Sequence, residues 1–300
     1  MKCELVSSLA DVNRNEWDSL NTSNHPFTSY DFLNSLEMSE SVTAKTGWNP
    51  QHIIIKNNTG NIIGASPNYL KMHSYGEYIF DHAWANAFEN AGGQYYPKLL
   101  SAIPFTPATG PRILIDPKNP DNNKIFELII KMFEVIVQNN NLSSAHINFI
   151  TDNLNKKLNN EKWIKRKGLQ FHWHNKDYNS FDDFLSKLKS SKRKAIRKER
   201  RTIQNNNLII QKVTGNELNN KIWDSFYNFY LNTIDKKWGG AYLTKNFFYL
   251  INKTMKNKIL LIIAKQNSKI VAGALNFIGS NTLYGRNWGS IVDIPFLHFE

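Results

Sequence analysis

The stretch of this 300-residue chain best equipped for chemistry is an aromatic segment, Tyr69 to Trp84, that also carries histidines and carboxylates. His73, Glu77 and Asp81 lie within it and are our candidate catalytic residues. Their side chains can accept or donate a proton, as general acid–base catalysis requires. Such polar groups among aromatic residues suggest a pocket wall, although a solvated strand face would explain them equally well.

Metal chemistry fits the same segment poorly. His73, Asp81 and His82 are close in sequence, but the His pair of a helical zinc site, spaced i and i+4, is missing. The single cysteine, Cys3, excludes an internal disulfide and a cysteine-based metal site. We therefore predict no metal, and no Ser-His-Asp spacing indicates a covalent nucleophile.

A proline-rich stretch leads to a candidate anion-binding residue. The prolines between Ile103 and Arg112 remove backbone donors and fix φ, so this stretch is predicted to be an ordered loop or the edge of a lid. Arg112 follows the loop at the start of a predicted strand, 113 to 115. Its guanidinium could bind an anionic group of a substrate, and a structural salt bridge is the alternative.

Positive charge is concentrated in one segment. The net charge is +12, and the fifteen residues from Lys187 to Arg201 hold nine Lys or Arg against one acid, Glu199. Ser180 is a predicted cap of the helix that carries them. Like charges one turn apart repel and destabilise a helix, which a polyanion such as RNA would relieve. A membrane surface is the second candidate partner, and a solvated face is the alternative. The candidate nucleic-acid-binding residues are Lys192, Arg193, Lys194, Arg197, Arg200 and Arg201.

These residues must be positioned by an architecture that contains a repeat. Residues 53 to 65 and 262 to 274 are identical at six of thirteen positions at a constant offset of 209. Each stretch has the form of a β-hairpin with a Gly-Ala step in its second strand, where the glycine indicates a bulge or the close approach of a ligand or backbone. At the same offset Tyr75-Gly76 falls on Tyr284-Gly285, which extends the match to a third extended segment. We interpret the pattern as a duplication.

Periodicity fills in the remaining elements. Alternating helices and strands favour an α/β fold with a mixed sheet, divided into a first domain, 1–175, and a second, 176–300. The second copy has only fifteen residues after Gly285, so we expect it to be incomplete. Helices are predicted within 8–40 and over 121–139, 153–166, 180–203, 218–234, 247–255 and the final residues; strands are predicted over 145–150 and 169–173.

Composition favours a soluble globular protein. Hydrophobic residues make up 41% and charged residues 21% of the chain. No run approaches the roughly 18 apolar residues of a membrane span, and the N-terminus does not have the core of a signal peptide. These features predict a cytoplasmic location.

Several motifs together resemble one family. They are His25-Pro26-Phe27, Thr46-Gly47-Trp48-Asn49-Pro50, His73-Ser74-Tyr75-Gly76-Glu77-Tyr78, Tyr95-Tyr96-Pro97-Lys98, Pro104 to Arg112, Lys192 to Arg201, Trp238-Gly239, Ala272 to Asn276, Leu283 to Arg286 and Pro295 to Glu300. With them almost the whole chain resembles the FemAB-like proteins of peptidoglycan biosynthesis or recognition, in the GNAT acyltransferase superfamily. Members of that family continue beyond the point at which this chain ends.

The resemblance implies a fold and an activity. The fold would be two tandem GNAT-like domains, the second truncated, and the activity would be transfer of an aminoacyl or acyl group to an amine of a peptidoglycan precursor or related acceptor. The donor would be aminoacyl-tRNA, which suits the cationic helix, or acyl-CoA, although the pyrophosphate-binding motif of GNAT enzymes is matched only by Arg286 and Gly289. The protein could also lie peripherally at the inner face of the membrane.

The remaining assignments depend on this hypothesis. Arg112 would anchor an anion, and Arg286 and Trp288 would line the donor side. Two alternatives stay open: a non-catalytic protein that binds RNA or recognises a wall precursor, and an inactive truncated paralogue. The full set of predicted substrate-binding residues is Arg112, Lys98, Lys237, Trp238, Arg286 and Trp288.

Overall fold

The computed structural model describes residues 1–158, 162–236 and 240–299, which form a mixed α/β fold with three four-stranded sheets. The predicted fold class is therefore confirmed. Strands are β1 (Lys2–Val6), β2 (Trp48–Pro50), β3 (His52–Lys56), β4 (Ile62–Ser66), β5 (Asn68–Lys71), β6 (Lys98–Ser101), β7 (Leu114–Ile115), β8 (Ala145–Ile147), β9 (Leu208–Thr214), β10 (Ile259–Gln266), β11 (Lys269–Ile278) and β12 (Leu283–Ser290).

The helices that cover these sheets follow the predicted periodicity in most places. They are α1 (Arg14–Leu20), α2 (Tyr30–Met38), α3 (His82–Asn90), α4 (Asn122–Asn139), α5 (Asp152–Lys157), α6 (Phe181–Ser186), α7 (Ser190–Gln204), α8 (Asn220–Asp235) and α9 (Lys245–Met255). In α4 the apolar residues Ile125, Ile129, Phe133 and Ile136 recur at helical spacing, and all four are buried. This stripe packs against β3 and β4.

Two of the sheets belong to the first half of the chain. One has the order β1-β3-β4-β7 and is antiparallel throughout. The other has the order β2-β5-β6-β8, in which β6 pairs with β8 in parallel and the other pairs are antiparallel. β6 is buried along its whole length because it lies between β5 and β8. Polar side chains on β6 must therefore find partners inside the protein.

The third sheet lies in the second half, with the antiparallel order β12-β11-β10-β9. Its core is continuous with that of the first half. The rings of Phe27 and Phe277 are 5.1 Å apart, and those of Phe32 and Phe247 are 5.7 Å apart. The Thr244 hydroxyl also donates to the Ser39 carbonyl oxygen at 2.9 Å. The two halves thus share one apolar core across the predicted domain boundary.

The two hairpins of the sequence repeat have matching features. Their registers shift at corresponding positions, between Ile55 and Lys56 and between Ala264 and Lys265. In each, a helix packs over the repeated glycine: a Cβ on Gly64 would lie 2.4 Å from Ile125 of α4, and one on Gly273 would lie 3.0 Å from Phe226 of α8. The predicted close approach is therefore found, and it is made by helix side chains.

The repeat also has limits. Gly64 pairs with Ile55, whereas Gly273 pairs with Ile263, the counterpart of Ile54, because the second hairpin has the shorter turn. The prediction of a third extended segment in both copies is wrong. Tyr284-Gly285 lies in β12, but Tyr75-Gly76 lies in a turn between β5 and α3. Tandem GNAT-like domains remain a prediction.

Three predicted elements differ from the structure. The helix predicted over 153–166 ends at Lys157, and the strand predicted over 169–173 forms no ladder. The basic helix is interrupted between α6 and α7. Most of its predicted apolar face is at least partly exposed, with only Leu185 and Ile203 buried, so little packing is available to hold one continuous helix.

Candidate functional site

A buried ammonium group is at the centre of the candidate site. The Lys98 side chain, at the start of β6, is fully buried. Its Nζ donates to Asp81 Oδ2 at 2.6 Å, to Ser74 Oγ at 2.9 Å and to Glu77 Oε2 at 3.0 Å. Tyr95 completes the group because its hydroxyl donates to Asp81 Oδ2 at 2.8 Å. We call these five residues the Lys98 cluster.

The backbone between β5 and α3 turns the two acids inward. Gly76 has a φ of +79°, and Tyr78 and Phe80 have φ values of +60° and +51°. Left-handed conformations are uncommon for aromatic residues and cost about 1 kcal/mol or more each, so the surrounding contacts must hold them. Asp81 precedes α3 but makes no side-chain cap. Its carboxylate bonds Lys98 and Tyr95 instead.

The two acids have opposite pKa shifts. Burial would raise the pKa of Asp81, but its bonds to Lys98, Ser74 and Tyr95 outweigh burial and lower the pKa to about 2. Burial raises the pKa of Glu77 above its ordinary value and exceeds the opposing attraction of Lys98 and Lys71. Within the described part of the chain, Glu77 Oε1 and Asp81 Oδ1 have no hydrogen-bond partner. Glu77 is thus the acid better suited to take up a proton at neutral pH.

A second buried lysine adjoins the cluster. Lys71 Nζ lies 3.6 Å from the centre of the Trp48 ring, and burial lowers its pKa to about 7. The nearby charge of Glu77 opposes this shift. Lys71 can therefore change protonation near neutral pH, beside the candidate base.

Substitution of Lys71 should alter the pH dependence of stability. Between about pH 7 and its ordinary pKa of 10.5, Lys71 binds more protons in the unfolded than in the folded chain, so the free energy of unfolding should rise with pH in this window. We expect Lys71→Met to flatten this rise. Urea unfolding of both proteins at pH 7, 8.5 and 10 measures the free energy of unfolding. An equal rise of this free energy with pH in the two proteins would contradict the prediction.

A contact between the two halves lies beside this segment. A bulge in β12 separates the pair Asn276 and Gly285 from the pair Leu275 and Asn287, which leaves Arg286 as the extra residue. Bulges redirect side chains. Here the Arg286 guanidinium donates to the Phe105 carbonyl oxygen in the proline-rich loop.

Tyrosines surround Arg286 at this contact. Burial lowers the pKa of Arg286, and the hydroxyls of Tyr78 and Tyr230 oppose that shift, Tyr78 through a hydrogen bond. Tyr242 stacks on Phe105, with ring centres 5.0 Å apart and an angle of 9° between the planes. Tyr78 is 40% exposed. The contact therefore places phenol and guanidinium donors next to the segment that carries Glu77.

Gly76 holds this segment against the proline-rich loop. A Cβ at Gly76 would lie 2.6 Å from the Phe105 ring, at a φ of +79°. We expect Gly76→Ala to destabilise the protein by about 2 kcal/mol or more, because it adds a clash to backbone strain. Gly92→Ala is the matched control, since Gly92 has a φ of +86° and nothing near its Cβ. Equal melting temperatures for the two variants would refute the clash.

The other predicted catalytic residue lies apart from the Lys98 cluster. The half-buried His73 accepts a hydrogen bond at Nδ1 from the Tyr75 N–H, and its ring is packed against Gly47. Burial and the charge of Lys71 lower its pKa. The structure therefore brings Glu77 and Asp81 together but leaves His73 beside Lys71. The alternative of a solvated strand face is wrong for the acids, since both are buried in a turn.

The predicted substrate-binding residues fall into different environments. The Lys98 ammonium group is paired with the buried carboxylates of Glu77 and Asp81. Arg112 is wholly buried and donates to the carbonyl oxygens of Pro111 and Ala108 at 3.1 and 2.7 Å, so it closes the proline-rich loop. It forms no salt bridge with another described residue, and its role as an anion anchor stays a prediction. Burial lowers its pKa to about 9. Trp288 is 37% exposed and contacts His298. Lys237 and Trp238 lie outside the described residues.

The predicted RNA-binding residues lie on α7. Ser180 caps α6 as expected, since its hydroxyl accepts from the Asp183 N–H. Three arginines of α7 turn back toward α6: Arg193 donates to the Ser186 carbonyl oxygen at 3.2 Å, Arg197 pairs with Asp182 at 3.3 Å and Arg200 lies 4.4 Å from the Phe181 ring centre. The other predicted cations, Lys192, Lys194 and Arg201, are exposed.

Sequence reasoning missed several residues of the site. The sequence indicates Ser74, Tyr95 and Phe105 only as parts of motifs, places Tyr230 in a predicted helix and gives no signal for Tyr242. The density of tyrosines is visible in the sequence, but the contacts that they make between the two halves are not.

The described ranges contain no group of three or more His, Cys, Asp or Glu that could hold a metal, and none of their helices is long and apolar enough to cross a bilayer.

The fold and site define a mixed α/β protein with a buried ion cluster beside a contact between its halves. The family model for peptidoglycan biosynthesis/recognition proteins matches residues 8–300, so the chain belongs to the FemAB-like family. A search of curated proteins found no significantly similar sequence. Among solved structures, L-PGS from Bacillus licheniformis matches with a TM-score of 0.44 and 8% identity, over 96% of this chain and 68% of that one.

Proposed function

We propose that the protein transfers an aminoacyl or acyl group to an amine of a peptidoglycan precursor or a related acceptor. Membership of a family of peptidoglycan biosynthesis and recognition proteins supports the substrate class. The observation that carries the reaction type is the buried Glu77, with its raised pKa and one carboxylate oxygen that has no partner among the described residues, next to the contact that Arg286 makes between the halves.

The chemistry assigns a role to each group. The amine nitrogen attacks the carbonyl carbon of the donor ester, a C–N bond forms, and the C–O bond to the leaving group breaks. Glu77 accepts the proton that the amine loses and returns a proton to the leaving oxygen as the C–O bond breaks. Tyr78 and Arg286 supply donors for the developing oxyanion. Asp81 positions Lys98, which in turn orients Glu77.

The donor favoured by this chain is aminoacyl-tRNA. Residues Arg286 to Ser290, the segment compared with the pyrophosphate-binding motif, lie in β12, where all but the bulged Arg286 pair with β11. Amides at a helix start, which hold the pyrophosphate of coenzyme A in GNAT enzymes, are therefore not formed by this segment. The exposed cations of α7 supply a surface for a nucleic acid backbone.

The experiment that tests the activity is mass spectrometry of a muropeptide acceptor incubated with the protein and charged tRNA, with acyl-CoA as the competing donor. A mass gain equal to one aminoacyl residue is expected with tRNA. A gain only with acyl-CoA would replace the donor, and no gain with either would reject transfer. In that case, salt-sensitive binding of tRNA or muropeptide would support the second candidate, a non-catalytic recognition protein, which the exposed cations of α7 favour.

Charge reversal on α7 should weaken RNA binding. We expect the triple variant Lys192→Glu, Lys194→Glu, Arg201→Glu to reduce tRNA affinity roughly tenfold or more and to lower the salt slope by about 2 to 3, because three phosphate contacts are lost. Lys192, Lys194 and Arg201 are chosen because the neighbouring arginines, Arg193, Arg197 and Arg200, contact α6, so that replacing those arginines would also remove structural contacts.

The matched control for this variant is Lys253→Glu, Lys258→Glu, Lys269→Glu. It changes the net charge equally at three exposed lysines of the second half that are not part of α7. Electrophoretic mobility or fluorescence anisotropy at several salt concentrations measures both variants. If the two triple variants lost affinity equally, only net charge would be involved and the α7 surface would be rejected.

A further inference from the structure

A row of aromatic side chains is exposed on the outer side of α3. Phe80, immediately before the helix, is 75% exposed, and Trp84 and Phe88 are 47% and 46% exposed. Trp84 and Phe88 are four residues apart and share one face of the helix, whereas Ala85 is buried; Phe80 precedes the N-cap residue Asp81. A soluble helix normally turns such a face to the core. Phe88 also makes a ring contact with Tyr95, with centres 6.3 Å apart, but all three side chains of the row remain exposed to solvent.

A basic segment borders this aromatic row. The Arg166 guanidinium donates to the Phe80 carbonyl oxygen at 3.1 Å and lies 5.7 Å from the Trp84 ring centre. The twelve residues from Lys156 to Lys167 contain six Lys or Arg and one acid, Glu161, a net charge of +5. All six cations are exposed, and Ile164 among them is 81% exposed. Arg166 thus places the basic segment next to the aromatic row.

We infer that this surface docks the protein on an anionic lipid bilayer. Rings of Trp and Phe are favoured at the interface between lipid headgroups and acyl chains. Lysine and arginine beside them are attracted to acidic headgroups by about 1 kcal/mol each near the surface. Both classes of side chain meet on this surface.

Other partners fit this combination less well. A glycan would use the aromatic rings but gains nothing from an exposed isoleucine and a charge of +5. An RNA would use the cations, but Ile164 and Phe80 offer it little. A bilayer uses all of them, because apolar side chains enter the acyl region while cations stay at the headgroups.

Vesicle flotation with the whole chain tests the inference. The vesicles are phosphatidylcholine alone or with 30% phosphatidylglycerol. We expect binding to the anionic vesicles that is at least tenfold stronger than to neutral ones, and a loss of tenfold or more in the double variant Phe80→Ser, Trp84→Ser. The variant Ile164→Ser, Arg166→Glu should lose binding similarly, and it changes no residue of α3.

Two controls make the result decisive. Ile209→Ser changes an apolar residue of β9 that is 67% exposed, and it should leave vesicle binding unchanged. The α7 triple variant separates the two basic surfaces and should also retain binding. Melting temperatures verify that every variant is folded.

The inference is overturned by equal binding to neutral and anionic vesicles, by no binding to either, or by a loss of binding only in the α7 variant. Muropeptide or RNA binding lost in the Phe80 and Trp84 variant, with vesicle binding intact, would assign the surface to that partner.

Discussion

Replacement of Lys98 by methionine is expected to destabilise the protein by about 3 to 5 kcal/mol at neutral pH. The substitution preserves the length of the side chain but leaves Glu77 and Asp81 buried without their cation, and an unpaired buried charge carries this order of cost. Urea unfolding followed by circular dichroism measures the change. A loss below 1 kcal/mol would show that the carboxylates reach water in the folded protein.

The pH dependence of this variant provides a second readout. In the native protein the lowered pKa of Asp81, about 2, contributes stability above its ordinary value of 3.8 that is lost as the pH falls toward 2. Without Lys98, burial raises the pKa of both acids, so they bind protons in the folded state as the pH falls. The stability difference between variant and native protein should therefore narrow from pH 8 to pH 5.

A surface pair supplies the control for geometry. Lys124 lies 3.0 Å from Asp121, the same separation as Lys98 and Glu77, but the Lys124 side chain is 76% exposed. Water screens such pairs, so Lys124→Met should cost less than about 1 kcal/mol. The contrast between the two variants isolates burial as the source of the effect.

Replacement of Glu77 by glutamine should reduce the rate of acyl transfer by about 10² to 10⁴, the usual contribution of a general base. Glutamine keeps the shape of the side chain and can still accept a hydrogen bond from Lys98, so the fold should be retained. The assay is the appearance of acylated muropeptide under single-turnover conditions. Binding of the acceptor should change far less than the rate.

The comparison with other acids identifies the base. Glu89→Gln, on the exposed side of α3, should leave the rate unchanged. Asp81→Asn should lower stability as well as rate, because Asp81 holds Lys98 and Tyr95. A Glu77→Gln enzyme within threefold of the native rate would remove Glu77 as the base, and a larger loss in a His73→Gln variant would transfer that role.

Local patterns were sufficient for elements whose stability comes from one buried face. The stripe of α4, the aromatic helix α8 and both hairpins follow from spacing alone, because helices and strands bury residues with fixed periods. The helix predicted over 153–166 ends at Lys157, and the strand predicted over 169–173 forms no ladder. Residues 169–173 have the local pattern of a strand, but their side chains are exposed in the structure. Propensity is a weak guide where packing decides.

For this protein the sequence by itself determined the mixed α/β class, the hairpin repeat, the basic segment and the residue types of the site, since each depends on neighbours along the chain. Only the tertiary structure decided that Lys98 enters a buried cluster with Glu77 and Asp81, that Arg112 closes a loop, and that Arg286 meets Phe105 from the other half. These pairings join residues far apart in sequence. Burial, which sets their charges and pKa values, exists only once the chain has folded.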